Sequence, residues 1–312
     1  MAQNINVENA IVVGSGPAGW TASIYLALAG LNPTLVTGTE HFGGALVYGT
    51  HVQNFPGFED GIAGIDLMDK MKQQSKNLGT NILLDDVTNF DLAGDIKSLT
   101  LSDSSVLNAK TVILALGAEY RKLGAKGETQ YSGKGVSYCA TCDGFFFKAK
   151  TVAVIGGGDT ALHEALYLSE MCEKVYLIHR RDKFRASDAM QKTVLNNKKI
   201  ELILNAEVVE FKGNGDVLNA LSLKHKNTDG LTEIATSGAF IAIGHTPNTA
   251  LLTGKLVLDS EGYIKLESDT SLTSAKGVFA GGNAADKRYR QAITAAGAGA
   301  KAALDAIAHL QK

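Results

Sequence analysis

The sequence predicts an α/β protein of two similar domains, the second inserted into the first. Three observations carry this expectation. A chain of 312 residues is long enough for two ordinary domains. A glycine-rich turn between apolar runs occurs twice, at Gly14-Ser15-Gly16-Pro17-Ala18-Gly19 and at Gly156-Gly157-Gly158-Asp159-Thr160-Ala161. A similar apolar strand and glycine close each half, VILALGA through Gly117 and AFIAIGHTPNT through Gly244.

The repeat is an alignment without gaps. AIVVGSGPAGWTASIYLALAGLNPTLVTGTE matches VAVIGGGDTALHEALYLSEMCEKVYLIHRRD, and each reads as strand, glycine turn, amphipathic helix and second strand. That is a βαβ unit. In such a turn the first glycine allows the bend, the second lets the backbone approach a pyrophosphate, and the third lets helix pack on strand. The helix N-terminus then offers free N–H groups and partial positive charge to phosphates. The expected class is therefore α/β with two Rossmann-like dinucleotide-binding domains. Residues 1–119 and 247–312 form the first, residues 120–246 the second, with two short crossings that would let the halves move as rigid bodies. From Gly277, a strand, a glycine turn and a long Ala-rich helix complete the first domain.

Composition narrows the function classes. An apolar fraction of 45% suits a chain with a full core. A net charge of -2 gives no reason to expect nucleic acid or an acidic membrane as partner. No apolar run approaches the ~20 residues that span a bilayer, and MAQNINVENA does not read as a signal peptide. Of three cysteines, two form Cys139-Ala140-Thr141-Cys142. That usage points to a reducing, cytoplasmic setting and a working dithiol.

The ends of the two second strands differ. The inserted unit ends His179-Arg180-Arg181-Asp182-Lys183-Phe184-Arg185. Guanidinium groups there can hold a ribose 2′-phosphate, so NADPH is expected on Gly156, Gly158, Asp159, Thr160, His179, Arg180, Arg181 and Arg185, with Arg180 the foremost candidate. The first unit has Gly38 in the place of Arg180 and Glu40 two residues on. A small residue followed by an acid suits an unphosphorylated ribose, as in FAD, on Gly14, Ser15, Gly16, Pro17, Ala18, Gly19 and Glu40.

A CxxC pair can close a small ring and pass two electrons, and Asp143 beside it can shuttle protons. The alternative is half a zinc site, for which only Cys172 with His163 or His179 could complete the ligands. A basic nucleotide-binding strand would then have to supply metal ligands, and no metal is expected.

Six segments, GSGPAG, CATCDGFFF, GGGDTA, HRRDKFRAS, IGHTPN and RQAITAAG, occur in this order. Over essentially its full length the chain resembles the bacterial low-molecular-weight thioredoxin reductases. The resemblance implies a homodimeric FAD enzyme that reduces thioredoxin with NADPH, with domain rotation between half-reactions. It implies that Cys142 lies against the flavin, that Cys139 attacks the thioredoxin disulfide, and that Asp143 is the acid/base. It also implies that Phe145 and Phe146 meet the partner, and that Gly44, Asn54, Gly282, Asn283, Arg290, Gln291 and Ala292 contact FAD. Departures fall in the FAD half: Gly43-Gly44-Ala45 replaces Gly-Gly-Gln, and Asn283 stands where the family has Asp. They imply an altered flavin environment. A same-fold reductase of another small dithiol protein, or one using a different electron donor, stays open as an alternative.

Overall fold

The computed structural model describes residues 6–39, 42–48, 51–226 and 230–312. The chain divides into two compact units, Met1–Glu119 with Thr246–Lys312, and Tyr120–His245.

The first unit is built on a sheet ordered Asn81–Leu83, Thr34–Val36, Val7–Val13, Val106–Leu114, Lys97–Leu101 and Val87–Asp91. Val278–Ala280 pairs with the far end of Val106–Leu114. The strands from Asn81–Leu83 to Val106–Leu114 and Val278–Ala280 run parallel, while Lys97–Leu101 and Val87–Asp91 fold back as an antiparallel meander. Val7–Val13 is flanked on both sides, which is why its distal part is a continuous apolar run. Successive residues feed opposite layers: Ile11 and Val13 join one buried cluster, Ala10 and Val12 the other.

The helix Pro17–Leu28 starts with proline at a position where its missing N–H leaves no bond unmade. It crosses the C-terminal helix Ala292–Leu310, whose buried face is Ala295, Ala296, Gly299, Ala302, Ala303 and Ala306. Small residues are required there. A Cβ on Gly299 would sit 2.1 Å from the Ala18 carbonyl oxygen.

The second unit repeats the plan with a parallel sheet ordered Ile200–Leu204, Lys174–His179, Thr151–Ile155, Gly238–Ile241 and Val136–Ser137. The helix Asp159–Met171 follows the second glycine turn. An antiparallel sheet of Ala206–Gly213, Leu218–His225 and Leu231–Ala235 takes the place of the first unit's meander. The repeat extends to single hydrogen bonds. Gly14 N–H donates to Val36 O at 2.9 Å, and its counterpart Gly156 to Ile178 O at 3.0 Å. Ala115 N–H donates to Val13 O and Ala242 N–H to Ile155 O, each at 2.8 Å.

Gly117 and Gly244 stand at the crossings with φ of 69° and 105°, a left-handed backbone that glycine adopts without strain. The strands Ala118–Tyr120 and His245–Pro247, which follow them, pair as a two-stranded sheet.

Candidate active site

The dithiol segment leaves the two-residue strand Val136–Ser137 and turns at once into the short helix Ala140–Asp143. Cys139 caps that helix in extended conformation, so its carbonyl oxygen accepts the N–H groups of Cys142 at 3.2 Å and Asp143 at 3.1 Å. This single turn brings the two cysteines into a disulfide, with Cα atoms 5.3 Å apart. Thr141 sits between them with its hydroxyl oxygen 3.3 Å from Cys139 Sγ.

Asp143 follows directly and is largely withdrawn from solvent. Burial holds its carboxyl above the usual carboxylate range, and a hydrogen bond from Ser137 opposes this in part. That bond is 2.6 Å from Ser137 Oγ to Asp143 Oδ2. A carboxyl that keeps its proton more readily than usual beside a disulfide is equipped to give a proton to a departing thiolate. Phe145 and Phe146 come next and are 71% and 44% exposed. Two phenylalanines this exposed beside the disulfide form an apolar patch.

In the second fingerprint, two glycines are tightly packed and one is open. A Cβ on Gly156 would lie 2.4 Å from Ala242 O, and one on Gly157 2.2 Å from the His179 ring, whereas Gly158 has nothing within 4 Å. The basic segment folds over this turn. Arg185 N–H donates to Gly157 O at 2.7 Å, and Ser187 N–H donates to the Asp159 carboxylate at 3.0 Å. Arg180, Arg181 and Arg185 are exposed on it. His179 has a different place from its arginine neighbours. It is 5% exposed, stacks on Phe184, and bonds through Nε2 to Lys183 O at 3.1 Å. It shapes the loop that carries the arginines. Thr160 lies half-buried in the first turn of the helix.

The first fingerprint has the same division. A Cβ on Gly14 would lie 2.2 Å from Ala115 O and one on Gly19 1.8 Å from Gly14 O, while Gly16 faces open space. The cradle a Cβ would fill is thus left open where a pyrophosphate must approach, in both units, so both fit a dinucleotide. Ser15 is 3% exposed and ties the turn together, donating to Thr37 O at 2.8 Å and accepting Gly43 N–H at 3.1 Å.

Two other expected FAD residues, Gly44 and Gly282, lie against this turn. A Cβ on Gly44 would lie 3.3 Å from Gly16 Cα, and one on Gly282 3.0 Å from the Ala18 Cβ. Asn54 donates to Gln291 Oε1 at 3.1 Å. Gln291 caps the Ala292–Leu310 helix in a capping box with Thr294. Arg290 holds a left-handed φ of 52°, and the Asp286 carboxylate accepts the backbone N–H groups of Arg288, Tyr289 and Arg290. Asn283 lies in the short helical turn Gly282–Ala284. Glu40 lies outside the described residues.

Three residues were not singled out in the sequence. Ser137 is one. Tyr138 and Glu128 are the others: the Tyr138 hydroxyl donates to Glu128 at 2.8 Å, and its ring stacks on Tyr120 at 5.1 Å. Glu128 is 3% exposed and also accepts the N–H groups of Leu123 and Gly124. Burial, and then Glu128, push the Tyr138 phenol well above its usual range. Ser137 and Tyr138 carry no sequence signal beyond lying next to Cys139, and Glu128, well upstream, carries none. Cys172 is 1% exposed at the end of the Asp159–Met171 helix, with its thiol donating to Phe147 O. Among the described residues no group of three or more His, Cys, Asp or Glu could hold a metal ion, and no helix is long and apolar enough to cross a membrane.

The family model for pyridine nucleotide-disulphide oxidoreductases matches residues 8–299. The chain belongs to the pyridine nucleotide-disulphide oxidoreductase family. Within this family it is 50% identical over 305 residues to a thioredoxin reductase of Streptomyces clavuligerus, covering 98% of this chain and 94% of the relative. It is 46% identical over 96% of its length to a bifunctional thioredoxin reductase/thioredoxin of Mycobacterium leprae, of which it spans 65%. The solved thioredoxin reductase of Giardia duodenalis superposes with a TM-score of 0.94 at 39% identity, covering 97% of this chain and 99% of that one. The oxidoreductase family name fits a chain with two dinucleotide-type turns and one disulfide.

Proposed function

We propose that this oxidoreductase reduces the disulfide of thioredoxin with NADPH, through FAD and the Cys139/Cys142 dithiol. One observation carries the reading: a disulfide backed by a proton-retaining acid shares a unit with a dinucleotide turn overlaid by three exposed arginines. The M. leprae relative, described as joining both activities in one chain, favours thioredoxin over another small dithiol protein.

In this reading the first unit holds FAD, on Gly14, Ser15, Gly16, Pro17, Ala18, Gly19, Glu40, Gly44, Asn54, Gly282, Asn283, Arg290, Gln291 and Ala292. When bound, FAD supplies two-electron chemistry between NADPH and the disulfide. The second unit holds NADPH on Gly156, Gly158, Asp159, Thr160 and His179, with Arg180, Arg181 and Arg185 on the 2′-phosphate. Once reduced, the Cys139 thiolate attacks the thioredoxin disulfide, forms a mixed disulfide and expels one partner thiolate. Cys142 then attacks Cys139 Sγ, regenerates the ring disulfide and releases the second partner thiolate. The pair loses two electrons and thioredoxin gains them. Asp143 supplies protons to the departing sulfurs, and Phe145 and Phe146 seat the partner. The dithiol and NADPH belong to one unit and FAD to the other, so the units rotate at Gly117 and Gly244 between half-reactions. The working protein is a homodimer in the cytoplasm.

The test is an absorbance titration of the FAD-loaded protein with NADPH, then with oxidised thioredoxin. The flavin band is expected to bleach and then return; a band that bleaches and stays bleached in the presence of thioredoxin overturns the reading. Arg180→Ala is expected to lower kcat/KM for NADPH about 10- to 100-fold, the worth of one lost charge-assisted contact, and to leave NADH within about 3-fold. Equal losses with both nucleotides would remove the phosphate from Arg180.

A further inference from the structure

Ser137 stands between the acid and the redox ring, and its bonds are ordered by its single proton. The residue is 6% exposed on the strand Val136–Ser137. Its Oγ donates to Asp143 Oδ2 at 2.6 Å and accepts the Cys139 N–H at 3.1 Å. The same Oγ also lies 3.4 Å from the Cys139 carbonyl oxygen, in line to donate to it. A hydroxyl carries one proton and two lone pairs, so it cannot donate to both acceptors at once.

The two arrangements correspond to the two states of Asp143. With Asp143 ionised, the Ser137 proton points at the carboxylate. With Asp143 protonated on that oxygen, the acid donates to Ser137, and the Ser137 proton must turn to the Cys139 carbonyl. That carbonyl is the acceptor for Cys142 and Asp143 N–H, so the change is felt in the backbone of the ring itself.

The geometry points to Ser137 as a positioning residue whose hydroxyl proton swings between the Asp143 carboxylate and the Cys139 carbonyl and so sets which protonation state of Asp143 the redox turn holds. The inference rests on the reading of Cys139, Cys142 and Asp143 given above.

Few other charges compete for this role. The helix Asp159–Met171, packed against the turn, carries Asp159, His163, Glu164, Tyr167 and Glu170, and none of them exerts a resolved effect on Asp143. Lys148 and Lys150 follow the phenylalanines without one either, and the neighbouring strand Gly238–Ile241 is uncharged. Tyr138 and Glu128, bonded to each other beside Ser137, exert no resolved effect on Asp143 either, and reduction adds the Cys139 and Cys142 thiols. Among the described residues Ser137 is thus the one side chain that stabilises the ionised acid.

The sign of the effect follows. Removing the hydroxyl takes a charge-assisted bond from the carboxylate, so Asp143 holds its proton to higher pH. The experiment is single-turnover oxidation of NADPH-reduced holoenzyme by oxidised thioredoxin, followed across the neutral range by flavin and thiol absorbance. Wild type, Ser137→Ala, Ser137→Thr and Asp143→Asn are compared, with infrared titration of the Asp143 carboxyl as a second readout. Asp143→Asn is expected to lose one limb of the pH profile. Ser137→Ala is expected to move that limb upward by about one pH unit or more, and Ser137→Thr to restore it. The infrared band of the protonated carboxyl should persist to correspondingly higher pH in Ser137→Ala, whatever its turnover.

If Asp143→Asn loses the limb but Ser137→Ala keeps the wild-type profile and carboxyl titration, this inference fails and the role of Asp143 stands. If Asp143→Asn retains the limb, the reading of Asp143 fails and takes this inference with it. A uniform loss of rate in Ser137→Ala, with profile and infrared titration unmoved, marks Ser137 as structural support only and overturns the inference.

Discussion

Cys139→Ser is expected to lower thioredoxin reduction by about 10³-fold or more, the scale seen when one member of a catalytic unit is removed. NADPH is still expected to bleach the flavin at an undiminished rate, because the nucleotide turn at Gly156, Gly157 and Gly158 is untouched. The loss is this large because Cys142 alone has no second thiol with which to close the ring disulfide and release the partner, and Cys172 cannot supply one. Cys172 is buried, donates to the Phe147 carbonyl, and is pushed by burial above the usual thiol range. Serine offers a hydroxyl that does not ionise at neutral pH and cannot form a disulfide. Stopped-flow absorbance separates the two half-reactions in one experiment. Thioredoxin reduction that survives in Cys139→Ser would remove this cysteine from the pathway, and a flavin that no longer bleaches would show that the substitution damaged more than the dithiol.

The second large effect contrasts two glycines two residues apart. Gly14→Ala places a methyl group 2.2 Å from the Ala115 carbonyl oxygen, on a backbone with φ of 110°. The obstacle is main chain at the end of a central strand, and it cannot rotate away. Overpacking and backbone strain together are expected to cost about 3 kcal/mol or more. Thermal melting should detect that directly. Gly16→Ala meets nothing within 4 Å and keeps a φ of -76° that alanine adopts freely. Its stability is expected to stay within about 1 kcal/mol of wild type. Its FAD affinity is expected to fall about 10- to 100-fold, because the new methyl fills the pyrophosphate cradle. Trp20, the one tryptophan, lies in the same helix and is fully buried against Phe42, so its fluorescence reports FAD binding. An unchanged FAD affinity in Gly16→Ala would place the cofactor elsewhere.

Much of this was legible in the sequence because it is written in local patterns. The glycine turns showed through spacing, since a strand must bend within a few residues to feed a helix pointing at a phosphate. The repeat showed because two halves obeying the same packing rules keep apolar residues in the same order. The dithiol showed because its cysteines are three apart, and one helical turn closes that distance. The antiparallel meanders at Val87–Asp91 and Ala206–Gly213 are not legible in the sequence, because half-exposed strands with bulges lack a strong apolar run. Ser137 carries no signal beyond adjacency to Cys139 and Glu128 carries none, since a serine or glutamate in isolation is most often a surface residue.

His179 shows what sequence order leaves open. It stands beside Arg180, and alternation along the strand turns the histidine inward under Gly157 and leaves the arginine at the open end. By itself the sequence determined the class of fold, the two nucleotide turns, the sulfur pair and its acid, because each is set by residues within a few positions of one another. The tertiary structure alone decided which glycine faces open space, what burial does to Asp143, and that one hydroxyl joins that acid to the ring. Those depend on distances between strands and on exclusion of water, which arise only when distant segments pack.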